Sequence, residues 1–238
     1  MNVDPRAIMA ASNNADLYAA VFSAHGLDFA RKPYGFIGQD RAPPFYSNLS
    51  VSLPGHADTV TSELRALSEK FDVGIGVKDS FCELALKENG FAVLFEASWI
   101  WRAPVGDVDP GWVQIDSAAG LQSWEAAWKQ SGSPTPHRMF PEAILERTDT
   151  VLLGQLVDGA ILSGCIVTLS DECAGISNVF SISGTSGVFA QAAAAVGGIA
   201  PALPIVGYES GADLDHARDA GFSAVGDLRI LVARKPRF

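Results

Sequence analysis

Along the chain, apolar positions switch between a helical and a strand period, and the switches mark the elements. Residues 16–25 (DLYAAVFSAH) carry apolar side chains at helical spacing, with Asn13 and Asn14 in front as caps and Gly26 behind as the stop. Residues 32–44 are rich in proline and glycine and predict a loop. Residues 45–53 partly alternate and suit a strand ended by Pro54-Gly55, and 59–70 fit a helix. A short buried strand is expected over 71–77, a helix over 81–89 stopped by Gly90, and a strand over 91–102 with Trp99 and Trp101 on one face. The passage APVGDVDPG (103–111) reads as a boundary between residues 1–106 and 107–238.

Beyond the boundary, 112–117 predict a strand and 119–130 a helix with Leu121, Trp124 and Trp128 on one face. Three strands follow, over 150–157, 159–169 and 175–182, with a tight turn at Asp158-Gly159. A helix begins at 187–195, then come a strand (204–208), a helix (212–220) ended by Gly221, and a strand (223–233). A meander followed by strand, helix and strand is an α+β, mixed α/β arrangement.

Two passages share a layout. Aligning Gly90-Phe91 with Gly221-Phe222 sets an offset of 131 residues (221 − 90), at which Gly76 meets Gly207, Lys87 meets Arg218, Glu88 meets Asp219 and Trp99 meets Ile230. Each passage reads strand, helix, Gly-Phe stop, strand. The pattern predicts a degenerate tandem repeat.

Composition narrows the function classes. Nearly half the residues are apolar (48%) and 18% are charged, which gives a folded chain with a sizeable core. A net charge of −10 argues against nucleic acid or an anionic membrane surface as partner, and tilts toward a cationic acceptor. The basic residues Arg31, Lys32 and Arg41 form a loose group, and Arg234, Lys235 and Arg237 a tail. Three dispersed cysteines suggest no disulfide framework, and four scattered histidines no zinc or other metal site. The start resembles no signal peptide, so a cytoplasmic protein is the expectation. Residues 174–208 hold no Asp, Glu, Lys or Arg, but glycines and prolines interrupt them, so they predict strand, turn and helix rather than a membrane span. Nothing here excludes an oligomer.

The C-terminal half resembles the GNAT superfamily of acyl-CoA-dependent N-acyltransferases. The residues that carry the resemblance are the meander 159–182, the turn and helix SGTSGVFAQAAAAV (183–196), the strand LPIVGYE (203–209) and the helix LDHARDAGF (214–222). It implies a central mixed, partly splayed sheet flanked by helices, with residues 1–106 a partial second half. It also implies acetyl-CoA or another acyl-CoA as cosubstrate, and an amine of a small molecule or peptide as acceptor. The pyrophosphate would lie on backbone N–H groups at the turn into the helix. Cofactor-binding residues are then Val179, Phe180, Ser181, Gly184, Thr185, Ser186, Gly187 and Val188.

The chain departs from the family pattern at several points. Gly184 falls where the family has Arg or Gln, Phe189 where it has a small residue, and Ala217 (Leu86 in the first passage) where it has a tyrosine acid; Gly187 matches. A replacement acid or base must come from elsewhere, and Tyr208 and Glu209 at the end of the splayed strand are the candidates. Glu209 serves as base if burial raises its pKa, and otherwise caps the next helix. Asn178 is uncharged and cannot serve as base, and His216 reads as a surface histidine. Two functions stay open: N-acetyl transfer, or a catalytically inactive binding or interaction protein with the same fold.

Overall fold

The first helix, α1 (Pro5–Ala24), is long because both ends are specified. Pro5 occupies the first turn, and the Asp4 carboxylate accepts from the Arg6 backbone N–H at 2.9 Å. Gly26, at φ +67°, ends it. Ala7, Ala10, Ala11, Ala15 and Ala20 are buried on its inner face, so the helix lies close against the sheet. The helix starts three turns earlier than the sequence pattern predicts. Asn13 and Asn14 are interior residues rather than caps, and both are buried.

This computed structural model describes residues 3–71, 74–86, 90–106, 111–184 and 187–233. After α1 come β1 (Phe29–Lys32), β2 (Gly35–Gly38), β3 (Leu49–Val51), α2 (Ala57–Lys70), β4 (Gly76–Asp79) and β5 (Phe91–Arg102). The second half runs β6 (Trp112–Gln114), α3 (Ala118–Gln130), a 3-10 turn (Glu142–Glu146), β7 (Thr150–Val157), β8 (Ala160–Leu169), β9 (Ala174–Ser181), α4 (Val188–Ile199), β10 (Ile205–Glu209), α5 (Gly211–Asp219) and β11 (Ser223–Ala233). The expected boundary lies partly outside the described residues, as do Lys87 and Glu88 of the repeat.

Among the described residues, eleven strands form one mixed sheet in the order β1-β2-β3-β4-β11-β5-β10-β9-β8-β7-β6. Without the edge strand β6 the order is palindromic, with β1–β5 mirroring β7–β11. The last strand of each half crosses to the other half, and β5 and β11 pair antiparallel at the centre. Ala97 faces Leu228 there, positions 131 residues apart (228 − 97). The same offset separates the starts of α2 and α4, at Ala57 and Val188. Both spacings equal the offset of the passages aligned from sequence.

Helices cover both faces. Leu17 and Val21 of α1 join Leu121, Trp124 and Trp128 of α3 over Leu152 and Ile166. On the opposite face α4 and α5 pack on Leu153, Cys165 and Val167, and α2 packs on Val77 and Leu231. Burying a large apolar side chain is worth about 1.5–3 kcal/mol. The uncharged stretch 174–208 is β9, a turn, α4 and the start of β10. No helix among the described residues is long and apolar enough to cross a membrane.

Two further expectations fail. Residues 32–44 are not all loop, because β1 and β2 form a hairpin whose Lys32↔Gly35 register leaves Pro33-Tyr34 as a two-residue turn. Residues 81–86 are not helical. Cys82 sits at φ +55°, and the buried Asp79 carboxylate accepts from the backbone N–H groups of Glu83 (3.1 Å) and Leu84 (3.0 Å). Arg229 donates to Asp79 at 2.8 Å and to the Leu84 carbonyl at 2.7 Å, tying this loop to β11. Those bonds replace the helical ladder.

Candidate active site

The sheet opens between β9 and β10. The two strands run parallel but share only two rungs, Ile205↔Ala174 and Val206↔Gly175, before they diverge. The divergence has a sequence cause on β9. Asn178 adopts φ +52°, and its pairing with β8 skips from Ser177↔Ile166 to Phe180↔Gly164. Asn178 and Val179 therefore form a bulge opposite the single residue Cys165, which bends β9 away.

A cavity of about 220 Å³ fills the gap. Ser177, Asn178 and Val179 of β9 face Tyr208 and Glu209 of β10 across it, and Asn14 and Tyr18 of α1 close one side. Phe45, Tyr46, Trp128 and Ser133 complete the rim. The loop bearing Ser133 is held by buried Glu125, which accepts from the backbone of Met139 (2.9 Å) and Phe140 (3.2 Å). The hydroxyls of Ser177 and Tyr46 are buried with no hydrogen-bond partner among the described residues. Buried polar groups are nearly always paired, so two orphans on one cavity suit a polar ligand.

Burial sets the acid–base character. It pushes the Glu209 carboxyl up to about 8, with the nearby Asp213 charge adding in the same direction. Tyr208 is raised well above its ordinary value by burial first, then by Tyr18 and Glu209, so its phenol keeps its proton. Behind Tyr208 lies Lys78, whose Nζ sits 3.9 Å from the centre of the Tyr208 ring and donates to Asn14 Oδ1 at 2.6 Å.

The expected cofactor residues divide. Val179 lines the cavity. Phe180 points into the core, edge-on to Trp124 at 5.0 Å, and Ser181 Oγ lies 3.2 Å from Ser183 Oγ. Gly184 (φ +111°) and Gly187 (φ +82°) take left-handed conformations in an exposed turn, and Gly187 caps α4 without a side-chain hydrogen bond. A Cβ at either would meet open space. Val188 is buried, and Thr185 and Ser186 lie outside the described residues. Phe189 does not cover the turn: it is buried against Phe222 in the core.

Sequence reasoning missed Asn14, Tyr18, Tyr46, Ser177 and Lys78. An Asn-Asn pair inside an alanine-rich helix was the available signal. Asn13 holds the Thr168 carbonyl at 2.9 Å, and a Cβ on Gly175 would come within 1.8 Å of its Oδ1. Glycine at 175 thus lets α1 approach the open end of the sheet.

No family model matches this sequence, and no curated protein does. Solved structures do match by fold. A GCN5-related N-acetyltransferase from Kribbella flavida superimposes with a TM-score of 0.61 at 16% identity, covering 94% of this chain and 96% of that one. A putative acetyltransferase of the GNAT family from Novosphingobium aromaticivorans gives 0.57 at 14%, covering 91% and 96%. An N-myristoyltransferase from Saccharomyces cerevisiae with bound myristoyl-CoA gives 0.54 at 10%, covering 77% of this chain and 58% of that longer one. At these identities the likeness is one of fold: the chain has the GNAT fold over most of its length.

Proposed function

We propose that this chain transfers an acyl group, acetyl as the simplest case, from an acyl-CoA to an amine in the gap between β9 and β10. One observation carries the reading: the opened strands hold, in a single cavity, a carboxyl lifted to about 8 and a phenol that keeps its proton. The pyrophosphate lies on the backbone of the turn before α4, where two left-handed glycines leave open space. The thioester carbonyl reaches the bulge at Asn178–Val179. Glu209 takes a proton from the acceptor's ammonium, and the freed amine attacks the carbonyl carbon. As the C–S bond breaks, the new amide nitrogen gives up its second proton and the leaving thiolate takes one, relayed through the Tyr208 hydroxyl, which ends the step protonated.

Thermal denaturation with acetyl-CoA tests the binding half. A ligand at 100-fold excess over its Kd stabilises by about 2.7 kcal/mol. No shift at millimolar acetyl-CoA overturns the reading. A second reading, ligand binding without catalysis, is favoured by Ala217, which is buried where the family's tyrosine acid falls. Stabilisation by acetyl-CoA with no thiol released in the presence of amines would select it.

A further inference from the structure

A second hollow, about 410 Å³, adjoins the first, and Tyr18, Phe45, Tyr46 and Tyr208 line both. Its floor is an exposed apolar stretch of the central strands. The β5–β11 register jumps between Phe95↔Ile230 and Val93↔Leu231, so Leu94 is bulged out of the ladder. The bulge breaks the alternation that would send Leu94 and Phe95 to opposite faces, and both line the hollow beside Ile230 and Val232. Leu94 is 61% exposed and Phe95 39%. Its size falls within the roughly 300–1,000 Å³ of small-molecule sites.

The opposite wall is the segment from Arg41 to Asn48. Arg41 is the one charged side chain lining the hollow among the described residues, and it is exposed with no hydrogen bond or ion pair. Phe45, between the two hollows, is 61% exposed and held at φ +66°, a strained conformation for an aromatic residue. An unpaired guanidinium in a chain of net charge −10 makes this hollow locally opposite in sign to the molecule. Guanidinium matches a carboxylate in shape and charge.

We propose that this hollow is the acceptor site, and that the acceptor is an amine with an apolar body and a carboxylate, of the class of the hydrophobic amino acids. The inference rests on the acyl-transfer reading. The apolar body lies on Leu94 and Phe95, the carboxylate pairs with Arg41, and the amine points past Tyr208 toward Glu209.

Calorimetric titration of the full chain with four probes tests it. L-Phenylalanine has both features, phenethylamine lacks the carboxylate, L-alanine lacks the body, and spermidine is a cationic control. L-Phenylalanine is expected to bind at least tenfold more tightly than the others. Arg41→Ala should reduce it to the level of phenethylamine, and Leu94→Asp to that of L-alanine. Equal binding of phenethylamine, a preference for spermidine, or no effect of Arg41→Ala overturns the assignment. Acetyl-CoA binding measured on the same protein separates the two readings. If L-phenylalanine binds and acetyl-CoA does not, acyl transfer falls and the hollow keeps its ligand class. If acetyl-CoA binds and L-phenylalanine does not, the acceptor assignment falls alone.

Discussion

Replacing Glu209 with glutamine removes a titrating group while keeping its size, and two measurements then read the same pKa. Burial raises the carboxyl from 4.5 to about 8, so between those values the folded chain holds a proton that the unfolded chain has lost. Stability contributed by this group is therefore complete below pH 4.5 and lost as pH rises through 8. At about 1.4 kcal/mol per tenfold change in acidity, the loss is at most about 5 kcal/mol. Solvent reaches this half-buried side chain, which brings the expected loss to on the order of 2–3 kcal/mol. Urea denaturation of both proteins from pH 5 to pH 9 should show wild type falling relative to Glu209→Gln as pH rises. Acyl transfer by wild type should rise with pH to a plateau above about 8, and the variant should lose about 10²–10⁴-fold in kcat together with that dependence. Parallel stability curves would mean that Glu209 titrates as an ordinary carboxylate. A variant that kept both its rate and the wild-type pH profile would remove Glu209 from the chemistry.

Lys78 should show the opposite slope. Burial lowers its pKa well below the ordinary lysine value, so wild type loses stability as pH falls from about 10; Lys78→Met should gain on wild type between pH 9 and pH 6 by urea denaturation, and a constant difference would indicate an ammonium that stays charged. Gly187→Trp places a bulky side chain in the open space beside the turn, at a left-handed position. It should abolish the thermal shift given by acetyl-CoA, and an unchanged affinity would place the cosubstrate elsewhere. Asp79→Ala leaves the Arg229 guanidinium without its buried partner, which typically costs about 3–5 kcal/mol. Denaturation should register that loss, and limited proteolysis should find residues 81–86 newly accessible; a change under 1 kcal/mol would mean that the loop is held by Leu84 and Leu86 instead.

Long, regularly patterned elements were legible in the sequence. The expected bounds of β5, β7 and β11 coincide with those in the structure, and α3 differs by one residue. Their signals are local: period, caps and the Gly-Phe stop. What stayed hidden was set by long-range contacts. The helix expected over 81–89 has good helical periodicity, yet Asp79 and Arg229, 150 residues apart, capture its backbone. Asn14 looked like a cap because its bond to Lys78 spans 64 residues. The turn before α4 and the strand β10 were readable through the resemblance. Asn14, Leu17, Tyr18, Phe45 and Tyr46 of the cavity wall were not, since they come from α1 and from the segment before β3.

The palindromic sheet also shows why β9 and β10 part while β3 and β4 do not. At the 131-residue offset, Ser50 of β3 corresponds to Ser181 of β9, and Lys78 of β4 to Glu209 of β10. Ser50 and Lys78 still face each other as paired rungs, whereas β9 and β10 share no rung beyond Val206↔Gly175. The first half is thus closed at the level where the second is splayed. The difference lies in β9, where the bulge at Asn178–Val179 bends the strand; three-residue β3 has no positive φ. The side chains follow the geometry. Where the strands stay paired, Lys78 is sealed with its amine against Asn14 and the face of Tyr208. Where they part, the corresponding Glu209 reaches the cavity as a carboxyl lifted to about 8. Straightening β9 by deleting Asn178 should therefore close the gap and remove acetyl-CoA binding while leaving a folded sheet. A deletion variant that still bound acetyl-CoA would show that the bulge does not make the site.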